Sequence, residues 1–223
     1  MRILAVGAHP DDVELGCGGT LALLRKKGHG VHILVLTRGE ASGDPETREK
    51  ECRSAAAAIG ADQLSFGDLR DTRIMDGIDT IRTIENTIDT VTPDIVITHS
   101  SNDAHQDHRN THLASLSAAR RIGKILLYES PAAMREFCPQ VFVDIAPTME
   151  LKLKAVAAFN SQASKSYMRR QLSQNDPCDR CEMVPTDLSH AIAGLARFRG
   201  FQAGVALAEA FEVAKYVFEI NEH

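Results

Sequence analysis

The chain has 223 residues, of which 43% are hydrophobic and 25% are charged, and its formal net charge is -5 at pH 7. This length fits one large α/β domain with a sizeable core. The negative net charge argues against the electrostatic footprint of nucleic-acid binding, and no apolar run approaches the roughly 20 residues that span a bilayer. We therefore expect a single domain over residues 1–223, located in the cytoplasm, with neither nucleic-acid nor membrane partners.

Short apolar runs alternate along the chain with segments that have helical spacing. The predicted strands are 3–6, 31–37, 64–66, 94–98, 124–128 and 141–145. The predicted helices are 20–27, 47–59, 78–91, 108–121, 148–159 and 188–213. Segments 38–45 and 67–77 are polar and contain glycine, so they are predicted loops. This alternation predicts an α/β fold with a Rossmann-like, doubly wound, mostly parallel sheet and helices on both faces.

The cysteines do not indicate a disulfide framework, because their number is odd and they are widely scattered. They are Cys17, Cys52, Cys138, Cys178 and Cys181. The last two form a CxxC in the polar segment 171–185, which we predict to be a surface loop. A structural zinc site needs four ligands, and the sequence has no second CxxC to supply the other two. We therefore expect ordinary loop thiols there.

Polar residues follow the first predicted strand in the stretch AHPDDVELGCGG, residues 8–19. His9, Asp11 and Asp12 thus lie where a strand ends and a helix is about to begin. In open α/β sheets, ligands bind at the carboxyl ends of the strands. The alternative is that Asp11 or Asp12 only caps the following helix, which is a frequent use of aspartate.

A second polar cluster follows the fourth predicted strand and contains His105, Asp107 and His108. If the two strands are close in the sheet, the two clusters converge on one crevice. Two histidines and a carboxylate are a common ligand set for a catalytic zinc ion, whereas magnesium prefers an oxygen-only shell. We expect His99 and His112 to be structural, although His112 shares a helix face with His108 and could support it from behind.

The two clusters resemble the signatures of the LmbE/PIG-L-like zinc deacetylases. That family includes the N-acetylglucosaminyl-phosphatidylinositol, mycothiol-pathway and bacillithiol-pathway deacetylases. The first signature is A-H-P-D-D with a glutamate two residues later, and the second is H-x-D-H, present here at 105–108. Gln106 replaces the usual proline of the second signature and removes no functional position. Further similarities are Arg48, Glu51, Asp71, 142–145, Lys152, 161–162, R-G at 199–200 and A-E-A-F at 208–211. The resemblance covers almost the whole chain.

The resemblance implies that His9, Asp12 and His108 are the ligands of a Zn²⁺ cofactor and that Asp11 is the general base. Adjacent residues point in different directions in an extended or turning backbone, so Asp12 can bind the metal while Asp11 reaches its water. Zinc lowers the pKa of a bound water to about 7. Asp11 would take the proton as this water attacks an acetamide carbonyl.

The resemblance also implies roles for four other side chains. His105 would face the developing oxyanion, with Asp107 orienting its imidazole, and each such donor is worth roughly 3 kcal/mol. Arg48 and Asp71 would bind sugar or carboxylate groups of the substrate. The proton for the leaving amine would come from Asp11 or His105, and the sequence does not separate these two.

The leading hypothesis is a zinc-dependent hydrolase that removes the acetyl group from an N-acetylated amino sugar of the N-acetylglucosamine type, or from its conjugate. Members of the family often form homo-oligomers, so the resemblance also implies a homo-oligomer. A free sugar, a glycan, a thiol conjugate, a nucleotide sugar and a non-sugar amide all stay open as substrates. Segments 38–47, 67–77 and 163–187 are expected to determine specificity, because binding residues concentrate on loops.

Two other functions are compatible with parts of the sequence. Residues 16–19, Gly-Cys-Gly-Gly, open a helix after a strand, as phosphate-binding loops do. Their spacing is not G-x-G-x-x-G, and no Lys-Ser/Thr follows, which argues against a phosphate-binding loop. A nucleotide- or sugar-binding Rossmann-like module is therefore kept only as an alternative hypothesis. With the second cluster nearby, the glycines instead predict room for backbone beside a metal and its substrate. A zinc-binding member of the fold without catalysis is the remaining alternative, and the intact site positions argue against it.

Overall fold

The computed structural model describes residues 1–162 and 188–218. Strands alternate with helices through most of this part of the chain. The strands are β1 Arg2–Gly7, β2 Gly30–Thr37, β3 Gln63–Leu69, β4 Ile95–His99, β5 Lys124–Tyr128, β6 Val141–Asp144 and β7 Ala208–Tyr216. The helices are α1 Asp12–Lys26, α2 Pro45–Ile59, α3 Ile78–Val91, α4 Gln106–Ala118, α5 Met149–Ala157 and α6 Leu188–Ala203. No helix among the described residues is both long and apolar enough to cross a membrane.

One sheet contains all seven strands, in the order β3-β2-β1-β4-β5-β7-β6. The first five strands pair in parallel, and β7 pairs antiparallel with both β5 and β6. β1 lies between β2 and β4, so the strand order reverses direction at β1. The predicted α/β, mostly parallel, doubly wound sheet is confirmed.

Alternate residues of each central strand bury opposite faces of the sheet. In β1, Ile3 and Ala5 join a core with α1, α2 and α5, whereas Leu4 and Val6 join a core with α3 and α4. This is the period-two alternation of a strand that is covered on both sides. The predicted helix over 78–91 is confirmed as α3, whose isoleucines at 84 and 88 are buried in the second core.

The predicted helix over 188–213 is wrong in its last part. α6 ends at Ala203, Gly204 follows with a φ of 73°, and β7 then begins at Ala208. The sequence of β7, AEAFEVAKY, is rich in alanine, glutamate and lysine, which favour helices. Pairing with two neighbouring strands outweighs that local preference, because β7 fills the gap between β5 and β6.

The glycines of 16–19 serve packing rather than metal or substrate access. α1 is broken at Cys17, whose φ of -142° is not helical. A Cβ at Gly16 would overlap the ring of Tyr128, and one at Gly19 would crowd Ile145. The prediction that these glycines make room at a metal site is therefore corrected: they let the broken helix approach the sheet.

The described cysteines are Cys17, Cys52 and Cys138, and all three are free thiols. The first two are buried in the core, which is a common place for a cysteine that acts as a small apolar residue. The CxxC and its predicted loop lie outside the described residues.

Candidate active site

The site lies at the carboxyl ends of β1 and β4, which are neighbours in the sheet. This is the point where the strand order reverses, and such crevices are the usual binding sites of open α/β sheets. A cavity of about 500 Å³ opens there. Its lining residues are His9, Asp11, Asp12, Leu15, Ala41, Ser42, Arg48, Asp71, Thr72, His105, His108, Pro131, Ala132 and Gln162. The two polar clusters of the sequence therefore meet in one cavity.

Asp12 is the centre of the site. Its carboxylate oxygens lie 3.3 Å from Nδ1 of His9, 3.2 Å from Nε2 of His108 and 3.3 Å from Nε2 of His99. The backbone N–H of His9 also donates to this carboxylate at 2.7 Å, which fixes the turn between β1 and α1. Asp12 and His108 are almost completely buried. A carboxylate among three imidazoles in this setting can bind a metal ion.

Three groups of described side chains could hold a metal ion, with ligand atoms within 4.8 Å of one another in each. They are His9, His105 and His108; Asp12, His99 and His108; and His9, Asp71 and Asp107. His9 and His108 each belong to two of these groups. Nitrogen and carboxylate donors suit zinc and similar transition metals better than magnesium or calcium.

The imidazoles of His9 and His108 also contact carboxylates through their second ring nitrogens. Nε2 of His9 lies 3.1 Å from Asp71 and 3.2 Å from Asp107. Nδ1 of His108 lies 2.9 Å from Asp103. Carboxylates therefore fix one nitrogen of each ring while the other nitrogen faces Asp12. This is the usual arrangement of metal-binding histidines.

Asp11 lies beside this centre in a strained backbone conformation. Its φ is 107°, in the left-handed region that costs non-glycine residues about 1–3 kcal/mol. The turn directs its side chain into the cavity, where Oδ2 lies 3.5 Å from Nη2 of the buried Arg48. The same Nη2 donates to the carbonyl of Pro10 at 2.5 Å. Arg48 thus supports the turn that carries Asp11 and Asp12.

Asp107 contacts a different histidine from the one expected. Its Oδ2 lies 3.2 Å from His9 and accepts the backbone N–H of Thr72 at 2.8 Å. The predicted orientation of His105 comes from the backbone instead, because the N–H of Asp107 donates to Nδ1 of His105 at 3.2 Å. This bond leaves the proton of a neutral His105 on Nε2.

Arg48 and Asp71, which the sequence predicted as substrate-binding residues, both line the cavity. Each is also engaged within the protein. Arg48 is 2% exposed and bonds to the turn after β1, whereas Asp71 contacts His9 and accepts the N–H of Ala41 at 3.0 Å. Both side chains therefore have a structural role in the site, whatever they contact in a substrate.

Burial and neighbouring charges shift the pKa values of the site in the metal-free protein. Burial, with the charge of Asp12, raises the pKa of Asp11 to about 7. Burial also raises the pKa of Asp12, but the imidazoles of His108 and His99 outweigh it and hold that pKa well below its usual range. Burial lowers the pKa of His108, but Asp12 and Asp103 outweigh it and raise the value to about 9. The pKa of Asp11 is therefore raised while the pKa of its neighbour Asp12 is lowered.

Sequence reasoning missed two residues of the site. His99, expected to be structural, is fully buried, stacks on His108 with 4.1 Å between ring centroids, and accepts the N–H of Ala8 at 3.1 Å. Asp103 was not singled out, although it lies between β4 and the second cluster. His112 bonds through Nδ1 to the carbonyl of His99 at 2.9 Å, so it supports His99 rather than His108.

Comparisons with known proteins identify the family of this chain. The family model described as "PIG-L: GlcNAc-PI de-N-acetylase" matches residues 4–119. The "Uncharacterized deacetylase YaiS" of Escherichia coli is 39% identical over 150 residues, covering 64% of this chain and 81% of the relative. The diacetylchitobiose deacetylase of Thermococcus kodakarensis is 27% identical over 186 residues, covering 72% and 70%. The crystal structure of the conserved protein TT1542 from Thermus thermophilus superposes with a TM-score of 0.81, at 27% identity, over 99% and 97% of the two chains.

One relative has a different reaction in its name. The 4-oxalmesaconate hydratase of Pseudomonas putida is 25% identical over 189 residues, covering 71% of this chain and 73% of the relative. Residues 4–119 include most of β1, all of β4 and both polar clusters, so the family match covers the elements that build the site. This chain belongs to the PIG-L family.

Proposed function

We propose that this protein is a zinc-dependent N-deacetylase that hydrolyses the acetamide of an N-acetylated amino sugar or of its conjugate. The observation that carries the proposal is the position of Asp12 between His9 and His108, with Asp11 beside it in the cavity wall. Membership of the PIG-L family and two relatives named as deacetylases support the same reaction.

The donor set fits a zinc ion. Nδ1 of His9, the carboxylate of Asp12 and Nε2 of His108 would hold it, because the two nitrogens lie 3.3 and 3.2 Å from that carboxylate. The other nitrogens of both rings are already engaged. Two histidines and one carboxylate are a ligand set of catalytic zinc that leaves a position open. When bound, zinc would supply a Lewis acid that polarises the acetamide carbonyl and acidifies water.

Asp11 would accept the proton of the attacking water. It is the carboxylate of the cavity that lies next to Asp12 without sharing its histidine contacts, and the strained turn separates their directions. Arg48, 3.5 Å away, keeps this carboxylate oriented. General-base assistance of this kind contributes roughly 10²- to 10⁴-fold to a rate.

His105 would stabilise the oxygen that becomes negatively charged. Because its Nδ1 accepts the N–H of Asp107, its neutral form has the proton on Nε2, which is available to donate into the cavity. His105 would therefore act as a neutral hydrogen-bond donor. A preorganised donor at this position is worth about 3 kcal/mol. Asp11 or His105 then returns a proton to the leaving amine.

The direct test is release of a free amine from acetylated sugars. The zinc-loaded protein is incubated with N-acetylglucosamine, with N,N'-diacetylchitobiose and with N-acetylglucosaminides that have inositol or malate as aglycone. We expect amine release from at least one of them, its loss after treatment with a chelator, and its return with zinc. Full zinc occupancy without amine release from any of them would contradict the proposal.

The hydratase relative provides a second candidate, addition of water to the double bond of an unsaturated carboxylic acid. The same zinc-loaded preparation is therefore tested with 4-oxalmesaconate, following loss of its ultraviolet absorbance. Hydration without any deacetylation would favour this candidate over the proposed one.

A further inference from the structure

Asp103 lies in the connection between β4 and α4 and is 2% exposed. Both of its carboxylate oxygens are occupied by donors. Oδ2 accepts from Nδ1 of His108 at 2.9 Å and from the hydroxyl of Ser130, and Oδ1 accepts the backbone N–H of His105 at 2.7 Å. One buried side chain therefore contacts both histidines of the second cluster.

The contact with His108 determines which ring nitrogen is free. A carboxylate only accepts, so Nδ1 of His108 must be the donor, and a neutral His108 then has its lone pair on Nε2. Nε2 is the atom that lies 3.2 Å from Asp12. Asp103 thus selects the tautomer in which His108 can bind a metal on the side of Asp12.

The backbone of Asp103 is held in place as firmly as its side chain. It forms an isolated antiparallel bridge with Ala133, and its carbonyl accepts from Nη1 of Arg109 at 2.7 Å. Ser130, which donates to the same carboxylate, lies just beyond β5. The carboxylate is therefore fixed relative to two other segments of the chain, α4 and the connection that follows β5. Positioning of a metal ligand requires such fixed partners.

We propose that Asp103 is a positioning residue that sets the tautomer and orientation of His108 for zinc and, through the N–H of His105, aligns the oxyanion donor. This inference rests on the proposed function, because it assumes that His108 binds zinc. The carboxylate is needed rather than an amide, since both oxygens accept and an asparagine would turn an NH₂ group towards one of the donors.

The test measures zinc affinity of Asp103→Asn by competition with a chromophoric chelator. We expect the Kd for zinc to rise roughly 10- to 100-fold, the usual effect of losing an outer-shell partner. The visible spectrum of the cobalt-substituted variant should also change, because a reoriented His108 alters the ligand field. The matched control is Asp94→Asn, whose carboxylate accepts the N–H of Arg2 at the opposite end of the sheet and should leave the Kd unchanged.

Unchanged zinc affinity and an unchanged cobalt spectrum in a folded Asp103→Asn protein would overturn the inference while leaving the proposed function intact. Failure of the wild-type protein to bind zinc would instead overturn the proposed function. If the variant does not fold, nitrogen-15 NMR of histidine-labelled, zinc-loaded wild type still decides the question. The inference requires a protonated Nδ1 on His108, and a deprotonated Nδ1 would refute it.

Discussion

Lys152 and Glu209 form a buried ion pair inside the break of α1, with 2.5 Å between Nζ and Oε1. Glu209 accepts the backbone N–H groups of Gly19 at 2.9 Å and Thr20 at 2.7 Å, so it caps the second half of the helix. Lys152 donates to the carbonyl of Leu15 at 2.7 Å, so it caps the first half. The pair therefore satisfies the backbone groups that the break exposes, and it fixes the helix segment that begins with Asp12.

Removing the lysine should strongly destabilise the protein. In Lys152→Met the Glu209 carboxylate is left buried without its cation, and breaking such a pair costs about 3–5 kcal/mol. The free energy of unfolding from urea titration measures the loss. Lys154→Met on the same helix is the matched control, because Lys154 is exposed and surface changes stay within about 0.5 kcal/mol. Equal stabilities of the two variants would contradict the role of the pair.

Replacing Asp11 should lower the rate of hydrolysis without changing zinc binding. Asp11→Asn keeps the side-chain volume but removes the proton acceptor, so we expect kcat to fall roughly 10²- to 10⁴-fold. Zinc content, measured by elemental analysis, should match that of the wild type. Asp62→Asn is the control, because Asp62 accepts the N–H of Val31 at the other end of the sheet. Near-normal turnover of Asp11→Asn would show that Asp11 is not the general base.

Replacing His108 should remove the metal. His108→Ala deletes the imidazole whose Nε2 faces Asp12, and the remaining ligands do not complete the site. We expect zinc to be lost on dialysis against a weak chelator that leaves the wild type loaded. His112→Asn, one turn further along α4, should retain zinc because its side chain bonds to the backbone of His99. Full zinc occupancy of His108→Ala would overturn the ligand assignment.

His112 should make stability depend on pH. Burial lowers the pKa of His112 below its ordinary value of 6.5. The unfolded chain then binds this proton at a higher pH than the native protein does, so stability falls as the pH drops through 6.5. We expect the free energy of unfolding of the wild type, relative to His112→Asn, to decrease between about pH 7.5 and pH 5. Parallel pH profiles of the two proteins would show that His112 does not contribute.

Local patterns predicted most of the sheet. The β-branched run of β2 and the isoleucine spacing of α3 are properties of neighbouring residues, so they are readable without knowledge of the fold. β7 was mistaken for helix because its residues favour a helix locally, and only its pairing with β5 and β6 makes it a strand. That pairing joins segments far apart in the chain, which no local pattern encodes.

The sequence by itself determined the two clusters that hold His9, Asp12 and His108 and the family to which they point. The tertiary structure decided what lies around them. Strand order places β1 beside β4, and this adjacency brings Asp103 and His99 into the same site as Asp12. A motif records which residues are present, whereas the partner of each ring nitrogen depends on distances that only the packed sheet establishes.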